Sequence, residues 1–493
     1  HSIAGLTINR PNENYGGLFG RTNGSDIRNV HLQDGVVNGK QYAGGLVGYS
    51  SNGTISNSSA SSDIIVRTGS GSAFAGGLVG YSSSNVTISN SSASGDVLMN
   101  STSTSTSTTT TYASAGGLVG ENQGVISNSF ASGNITSDAK KNADAGGLVG
   151  WNENGTISNS YASGDATSNA TSGAYAGGLV GYTGGKGSLS KSFASGNVTA
   201  NATSGAYSGG LVGASNGNGN ISNAYASGMV TGNENVGGLV GYLYGTSHIA
   251  QSYAVGKVTG AGSTVGGLVG SKTTNATVAS SFWDKESTGQ SKSAGGNGVN
   301  TAQIMDINTF KNAGWDIDDA GGTGKVWRIY SGQTAPLLRS FLKQKVISNS
   351  DVNQSIVYDG QNHHINLFTG QDGMLATTNV FAKNVGSYNN TYYSNQWGYD
   401  LIGARQGTLS ITKAPLTVTA NKDSKTYDGT IYGNGYANGR GNDVVYSGFV
   451  NGETKSVLSG SLVYGGSAQN ARNVRSYDIG VGGLSAQNYQ LTY

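Results

Sequence analysis

The chain has 493 residues, among them 82 glycines and only three prolines, and 28 Lys and Arg against 26 Asp and Glu leave a net charge of +2. Charged residues make up 11%, against roughly 25% in ordinary globular proteins, and no basic run suits nucleic acid or an anionic membrane. There is no cysteine for a disulfide, a thiolate metal site or thiol catalysis, and no apolar run reaches the ~18 residues of a membrane helix.

The 27 Tyr, 10 Phe and 5 Trp argue for a folded chain rather than a disordered one. Abundant glycine with Ser, Thr, Asn and β-branched residues predicts an all-β protein with many tight turns. The chain opens on His1 without a signal-peptide pattern, and we read it as a mature or excised segment, a fragment of something longer. Absence of cysteine suits export in the unfolded state.

From the N-terminus onward the sequence repeats itself. The pentapeptide GGLVG, GGLFG in the first copy, begins at Gly16, Gly44, Gly76, Gly116, Gly146, Gly177, Gly209, Gly237 and Gly266. From the second copy on, each is followed by a block such as ISNSYASGDA from Ile157. A fixed period of about thirty residues marks one supersecondary unit stacked on its neighbours. Paired glycines and short Thr/Val/Ile runs lack helical spacing, so the unit is a coil of three or so short strands. The fold class predicted is therefore a parallel β-solenoid of about nine coils, spanning on the order of 43 Å at ~4.8 Å per coil.

In-register stacking turns repeated residues into columns. Leu18, Leu46, Leu78, Leu118, Leu148, Leu179, Leu211, Leu239 and Leu268 form an expected interior leucine ladder. Phe130, Tyr161, Phe193, Tyr225, Tyr253 and Phe282 form an expected aromatic stack, with Ser59 and Ser92 in the early coils. The glycines mark positive φ or crowded backbones. The Asn at the third place of ISNS resembles an asparagine ladder, but Lys191 takes that place in one coil, which puts the position at a corner. The widest gap holds STSTSTSTTTT, Ser101–Thr111, expected as a flexible loop or short β-excursion on one face.

After Phe282 the pattern breaks. Trp283, Trp315 and Trp327 arrive with the one expected short helix, near Thr301 to Lys311, as a cap over the open solenoid end. GGLVG followed by ISNSYASG resembles the GLUG repeat of bacterial surface adhesins and secreted haemagglutinin-like proteins, and SFWD…AGWD…WRIYSGQ…PLL resembles the segment that ends such arrays.

From about Lys343 two segments share another pattern. IVYDGQNHHINLF from Ile356, NVGSYNNTYY from Asn384 and GTLSITKAP from Gly407 make the first. LTVTANKDSKTYDGT from Leu416 and NVRSYDIGVGGLSAQNYQLTY from Asn473 make the second. Short alternating strands between Asn/Asp/Gly turns predict two small β-sandwiches, with YDG as turn chemistry. Both resemble the YDG or MBG-type immunoglobulin-like modules of bacterial adhesins. The domain plan is residues 1–282 solenoid, 283–342 cap, 343–413 first module and 414–493 second module, the two modules forming a semi-rigid stalk.

Catalytic chemistry finds no purchase. Asp63 and Asp96 fall on adjacent coils, but their column continues through Asn134, Asp165, Asn197, Met229 and Lys257, as turn residues do, so no calcium or catalytic site is assigned there. His363 and His364 are adjacent on a strand and point apart. GTGK at Gly322–Lys325 lacks the pattern of a phosphate loop. No cofactor or metal is expected. Tyr49, Tyr81, Trp151, Tyr182 and Tyr242 follow GGLVG directly and should line one edge of the solenoid, either as a packing stripe under the turns or as a surface for stacking on sugars.

The resemblance implies a secreted bacterial adhesin or biofilm-matrix protein, exported by two-partner or autotransporter-type secretion. Its partners would be host glycans, matrix polysaccharide or neighbouring cells. A self-associating extracellular fibre subunit and a carbohydrate-active β-helix enzyme are the alternatives.

Overall fold

The computed structural model describes residues 1–69, 71–102, 112–370, 373–433, 436–437, 440–441 and 443–493. The Ser/Thr insertion expected as a loop falls, over residues 103–111, outside them. The chain divides into two compact units, His1–Asp319 with Gly324–Phe341, and Ala320–Thr323 with Leu342–Tyr493.

The first unit is built on a parallel β-solenoid of about nine turns, whose strands hydrogen-bond to the equivalent strand one coil away. Register follows the repeat residue for residue: Val149 faces Val180, Ile157 faces Leu189 and Tyr161 faces Phe193. The first coil, in which the second block is not legible, keeps the same register, with Ile27 on Ile55 and His31 on Ser59. A strand at Ser2–Asn9 precedes it and pairs with His31–Gly39.

From Leu46 to Leu268 the leucine column is fully buried, joined by the Val, Ile and Ala columns of the same core, and Leu18 is half-buried at the start. The glycines of GGLVG serve close packing. A Cβ on Gly147 would strike the carbonyl oxygen of Gly178 and the Cβ of Ala162, so no larger residue fits between coils. Corners fall at the third place of ISNS, where Asn57, Asn159, Lys191 and Asn223 all take φ between 46° and 51°. Asn enters this left-handed region more readily than most residues, which explains its recurrence there without any asparagine ladder.

Polar ladders lie elsewhere. In the next residue of the block each buried serine hydroxyl accepts from a backbone N–H one coil away, Ser129 N–H to Ser160 Oγ at 3.2 Å and Ser160 N–H to Ser192 Oγ at 3.2 Å. The same hydroxyls donate to the carbonyl two residues back. Buried polar groups are thus satisfied by repetition itself.

The C-terminal segment of this unit works in two places. Residues 283–299 close the solenoid end. Trp283 lies on the last layer of the core, Gly267 N–H donates to Lys292 O at 2.9 Å, and Ala294 N–H donates to Val269 O at 2.9 Å. These are the bonds a further coil would supply. Residues 300–319 and 324–341 instead cover one side wall. Two short helices, Thr301–Ile304 with an Asn300 capping box and Ile307–Lys311, occupy the stretch where one helix is expected. Single-turn helices also form at Lys285–Thr288 and Asn349–Val352.

That side wall is the aromatic column, which stands on the outside of the solenoid. Its rings stack at 4.9–5.1 Å with planes within 9° of parallel from Phe130 to Tyr253. Phe341 meets Tyr161 and Phe193 edge-on, and Trp327 and Trp315 lean on Tyr253. Trp327 Nε1 donates to Asn223 Oδ1 at 3.0 Å and Tyr253 OH to Pro336 O at 2.6 Å. Phe130, beyond the reach of this cover, is 37% exposed.

The second unit holds two small β-modules. In the first, Lys343–Ile347 pairs with Tyr399–Gly403, and the sheet runs in the order 353–357, 406–412, 386–394, 374–376. In the second, Ala414–Ala420 pairs with Tyr489–Thr492 and Val444–Ser447, and Ser459–Gly465 with Gly480–Ser485. Only Lys413 separates the last strand of one module from the first strand of the next. The modules share a core in which Tyr358, Leu409 and Ile411 meet Leu416 and Tyr489. Glu453 bridges them, accepting from Tyr358 OH at 2.6 Å and from Tyr489 OH at 2.5 Å.

Candidate functional site

Within each GGLVG strand the valine points inward and the residue two places on points outward. Register therefore lines up Arg21, Tyr49, Tyr81, Glu121, Trp151, Tyr182, Ala214 and Tyr242 along one edge. All five residues singled out from the sequence lie in this row, half-buried, and Glu121 and Ala214 interrupt it.

A second row runs beside it, drawn from the residue two places before the first glycine of the repeat, or, in the first coil, from Tyr15 directly before Gly16. Tyr15, Tyr42, Phe74, Ser114, Asp144, Tyr175 and Tyr207 succeed one another there. The two rows interlock. Tyr42 sits edge-on to Tyr49 at 5.6 Å and to Tyr81 at 5.9 Å, and Tyr175 edge-on to Tyr182 at 5.3 Å. A signal for the second row lies in the inward alanine with an outward neighbour before it, at Ala43, Ala75, Ala115, Ala145 and Ala176.

Stacking along the axis fixes what this wall presents. Tyr49 and Tyr81 stack at 4.8 Å with planes 3° apart, and Tyr175 and Tyr207 at 4.7 Å and 7°. Strand spacing and ring spacing coincide, so the ring faces between these pairs are used by the next coil. Trp151 is turned out of the stack, 83° from Tyr182 and 50° from Tyr112, with its Nε1 donating to Glu153 Oε2 at 3.1 Å. Asn216 Nδ2 donates to Tyr182 OH at 3.0 Å.

Between the two aromatic clusters the rows carry acids. Asp144 is fully buried and accepts from Ser114 Oγ at 2.6 Å. Burial pushes its carboxyl up to about 7, against the lowering effect of that hydrogen bond, and the Glu121 charge adds to the rise. Burial also pushes Glu121 up to about 7, opposed by the hydrogen bond from Gln123 Nε2 at 2.8 Å.

Asp63 and Asp96 lie on adjacent coils outside this wall. Asp96 N–H donates to Asp63 Oδ1 at 3.0 Å, Asn134 N–H to Asp96 Oδ1 at 2.7 Å, and the chain of bonds continues to Met229. The Asp/Asn column is a coil-to-coil brace. Among the described residues no group of three His, Asp or Glu converges as a metal site would require. His363 Nε2 lies 2.9 Å from Asp359 Oδ1 and His364 Nδ1 2.9 Å from Asn366 O, so the two rings serve separate loops.

The GLUG motif model matches residues 39–65, 111–136, 142–167, 172–199 and 232–259, and that of the MBG domain (YGX type) matches 416–493. Among solved structures the chain is similar to one described as a "putative immunoglobulin A1 protease" from Bacteroides ovatus. The two are 15% identical, with 64% of this chain and 87% of that chain covered at a TM-score of 0.33. No curated protein matches the chain. The chain carries GLUG repeats wound as a β-solenoid, followed by an MBG domain.

Proposed function

We propose that this GLUG-repeat solenoid with its MBG modules is part of a secreted bacterial adhesin or biofilm-matrix protein, and that it attaches to glycans through its aromatic wall. The observation that carries this reading is the double row of tyrosines, Phe74 and Trp151 held in register over most of the coils. Outward hydroxyls hydrogen-bond sugar hydroxyls, and Trp151, turned out of the stack, offers a face against which a pyranose ring packs. Each site is weak by itself. Repetition along the axis multiplies the contacts, as suits attachment to a polysaccharide.

The role is one of binding rather than catalysis, and the binding partner lies outside the cell. A glycan array with the full chain tests it: binding that falls at least about tenfold in the Trp151→Ala, Tyr182→Ala double variant supports the wall as the surface, and unchanged binding removes it. Release of sugars from a polysaccharide panel would replace the reading with an enzymatic one.

Self-association into fibres is a second reading, favoured by the first coils, where Ile3, Tyr15 and Phe19 are exposed. Filaments of purified chain in electron micrographs, lost on Ile3→Asp with Phe19→Asp, would favour it.

A further inference from the structure

The long strands that carry the middle of the aromatic wall, Ile135–Gly146, Ala166–Gly177 and Val198–Gly209, also carry a polar trough beside it. Six residues before Asp144, Tyr175 and Tyr207 stand Asp138, Asn169 and Asn201, in register from coil to coil, with Asn100 ahead of them. Asn142, Gly173 and Gly205, at φ 43°, 76° and 70°, turn the chain between this row and the wall.

The trough encloses about 640 Å³ and runs along the solenoid axis from Asn100 to Asn233, on the order of 19 Å at one strand spacing per coil. Its floor is a column of alanines, Ala139, Ala170 and Ala202, packed on the core beneath. Residues on either side of an inward residue point outward, so the alanines lie between two polar rims. Asp138, Asn169 and Asn201 make one, and the exposed Lys140, Thr171 and Thr203 make the other.

The amides of the first rim are held side by side. Asn169 Nδ2 donates to Asp138 Oδ1 at 2.7 Å, and Asn201 Nδ2 donates to Asn169 Oδ1 at 2.9 Å. A carboxamide has two N–H donors, and each of these spends one on the coil before it. The second N–H of each has no protein partner among the described residues, nor has the Asn201 side-chain oxygen. The Asp63 column differs, because there the side-chain oxygens are consumed by backbone N–H groups of the next coil.

We propose that this trough binds a neutral, linear polysaccharide, laid along the axis with its ring faces on the alanine floor and its hydroxyls on the amide row. Amides pre-ordered by their own ladder offer donor and acceptor together, which is what a sugar hydroxyl needs, and little ordering cost is left for binding. The amides recur once per coil, ~4.8 Å apart, comparable to the advance of an extended β-linked chain per sugar, so one contact repeats down the trough. A peptide strand finds no edge here, because the backbone is already paired to the coils on both sides. A polyanion finds no excess of positive charge, because the charged residues lining the trough are Asp138 and Lys140. The site uses none of the rings of the aromatic wall and stands or falls separately from it.

The test is calorimetric titration of the full chain with cellohexaose, mannohexaose and chitohexaose as neutral probes and alginate as the charged one. Saturable binding of at least one neutral probe is expected. It should weaken at least about tenfold in the Asn169→Leu, Asn201→Leu double variant and hold in the Trp151→Ala, Tyr182→Ala variant. The chain has no cysteine, so Thr171→Cys on the other rim gives a second measurement with the amide row intact. The free thiol variant should bind as the parent does, its adduct with a bulky maleimide should not, and bound sugar should slow the labelling. Failure of every neutral probe, tighter binding of alginate, or binding that survives both the leucine variant and the blocked thiol overturns the proposal. Loss of binding in the Trp151, Tyr182 variant alone overturns it too, by giving the sugar to the wall.

Discussion

The solenoid and the paired modules both repeat a sequence pattern, and they use repetition in opposite ways. In the solenoid, like meets like: leucine lies on leucine, serine bonds the backbone beside the next serine, and tyrosine stacks on tyrosine. In the modules, equivalent residues meet unlike partners. Tyr358 and Tyr489 hold positions that are not equivalent, and both donate to the one carboxylate of Glu453. Stacking makes stability additive over nearest neighbours, while a joint concentrates it in a few groups. The solenoid should therefore localise damage to adjacent coils, and the modules should lose their mutual order from a single change.

The largest effect expected within the stack is from Gly147→Val. Its side chain meets the Gly178 carbonyl and Ala162, so the coils on either side must part, at a cost of at least about 4 kcal/mol. Hydrogen exchange should rise in the coils around residues 118–180 and stay unchanged in 343–493. Loss of protection throughout both units would break the contrast.

Next comes pH. Asp144 and Glu121 titrate near 7 in the folded chain, whereas carboxyls of an unfolded chain titrate at about 4. The folded state holds protons that the unfolded state releases, so solenoid stability falls as pH rises from about 4 to about 7, and the penalty is fully present above that. Asp144→Asn keeps an acceptor for Ser114 and removes the charge. It should stabilise the solenoid by on the order of 3 kcal/mol at pH 8 and change it little at pH 4. Melting curves at the two pH values measure the difference, and an equal shift at both would refute the titration.

Glu453→Ala sharpens the other side of the comparison. It leaves two tyrosine hydroxyls at the joint without their acceptor, which costs about 2 kcal/mol. Exchange should rise at Tyr358–Gln361 and Val450–Glu453 together, with none in residues 1–299. The smallest effect is at a corner. Lys191 holds φ 48° where most other coils use Asn, and Lys191→Asn should stabilise by about 0.5 kcal/mol, visible as a small rise in melting temperature.

Much of the architecture is legible in the residues because a solenoid converts sequence period directly into contact. Once GGLVG recurs, the partner of Leu148 has to be Leu179, and Tyr161 has to meet Phe193. The same logic reaches Tyr49, Tyr81, Trp151, Tyr182 and Tyr242 as one row. It does not reach Tyr42 or Tyr175, which precede the motif at a place where Ser114 and Asp144 also stand, so that identity varies while geometry does not. Nor does it reveal that Tyr49 and Tyr81 stack face to face while Trp151 turns aside, since this depends on ring planes rather than on order in the chain.

By itself, the sequence determined the period, the β class, the columns and the corner that Lys191 betrays, because each of these is a relation between neighbours one repeat apart. Tertiary structure alone decided which columns face outward and what covers them. The stacked aromatic column from Phe193 to Phe282 is buried by residues 299–319 and 324–341, and Glu453 finds two tyrosines 95 and 36 residues away in the chain. Such contacts join segments with no common period, and only the packing of the folded chain brings them together.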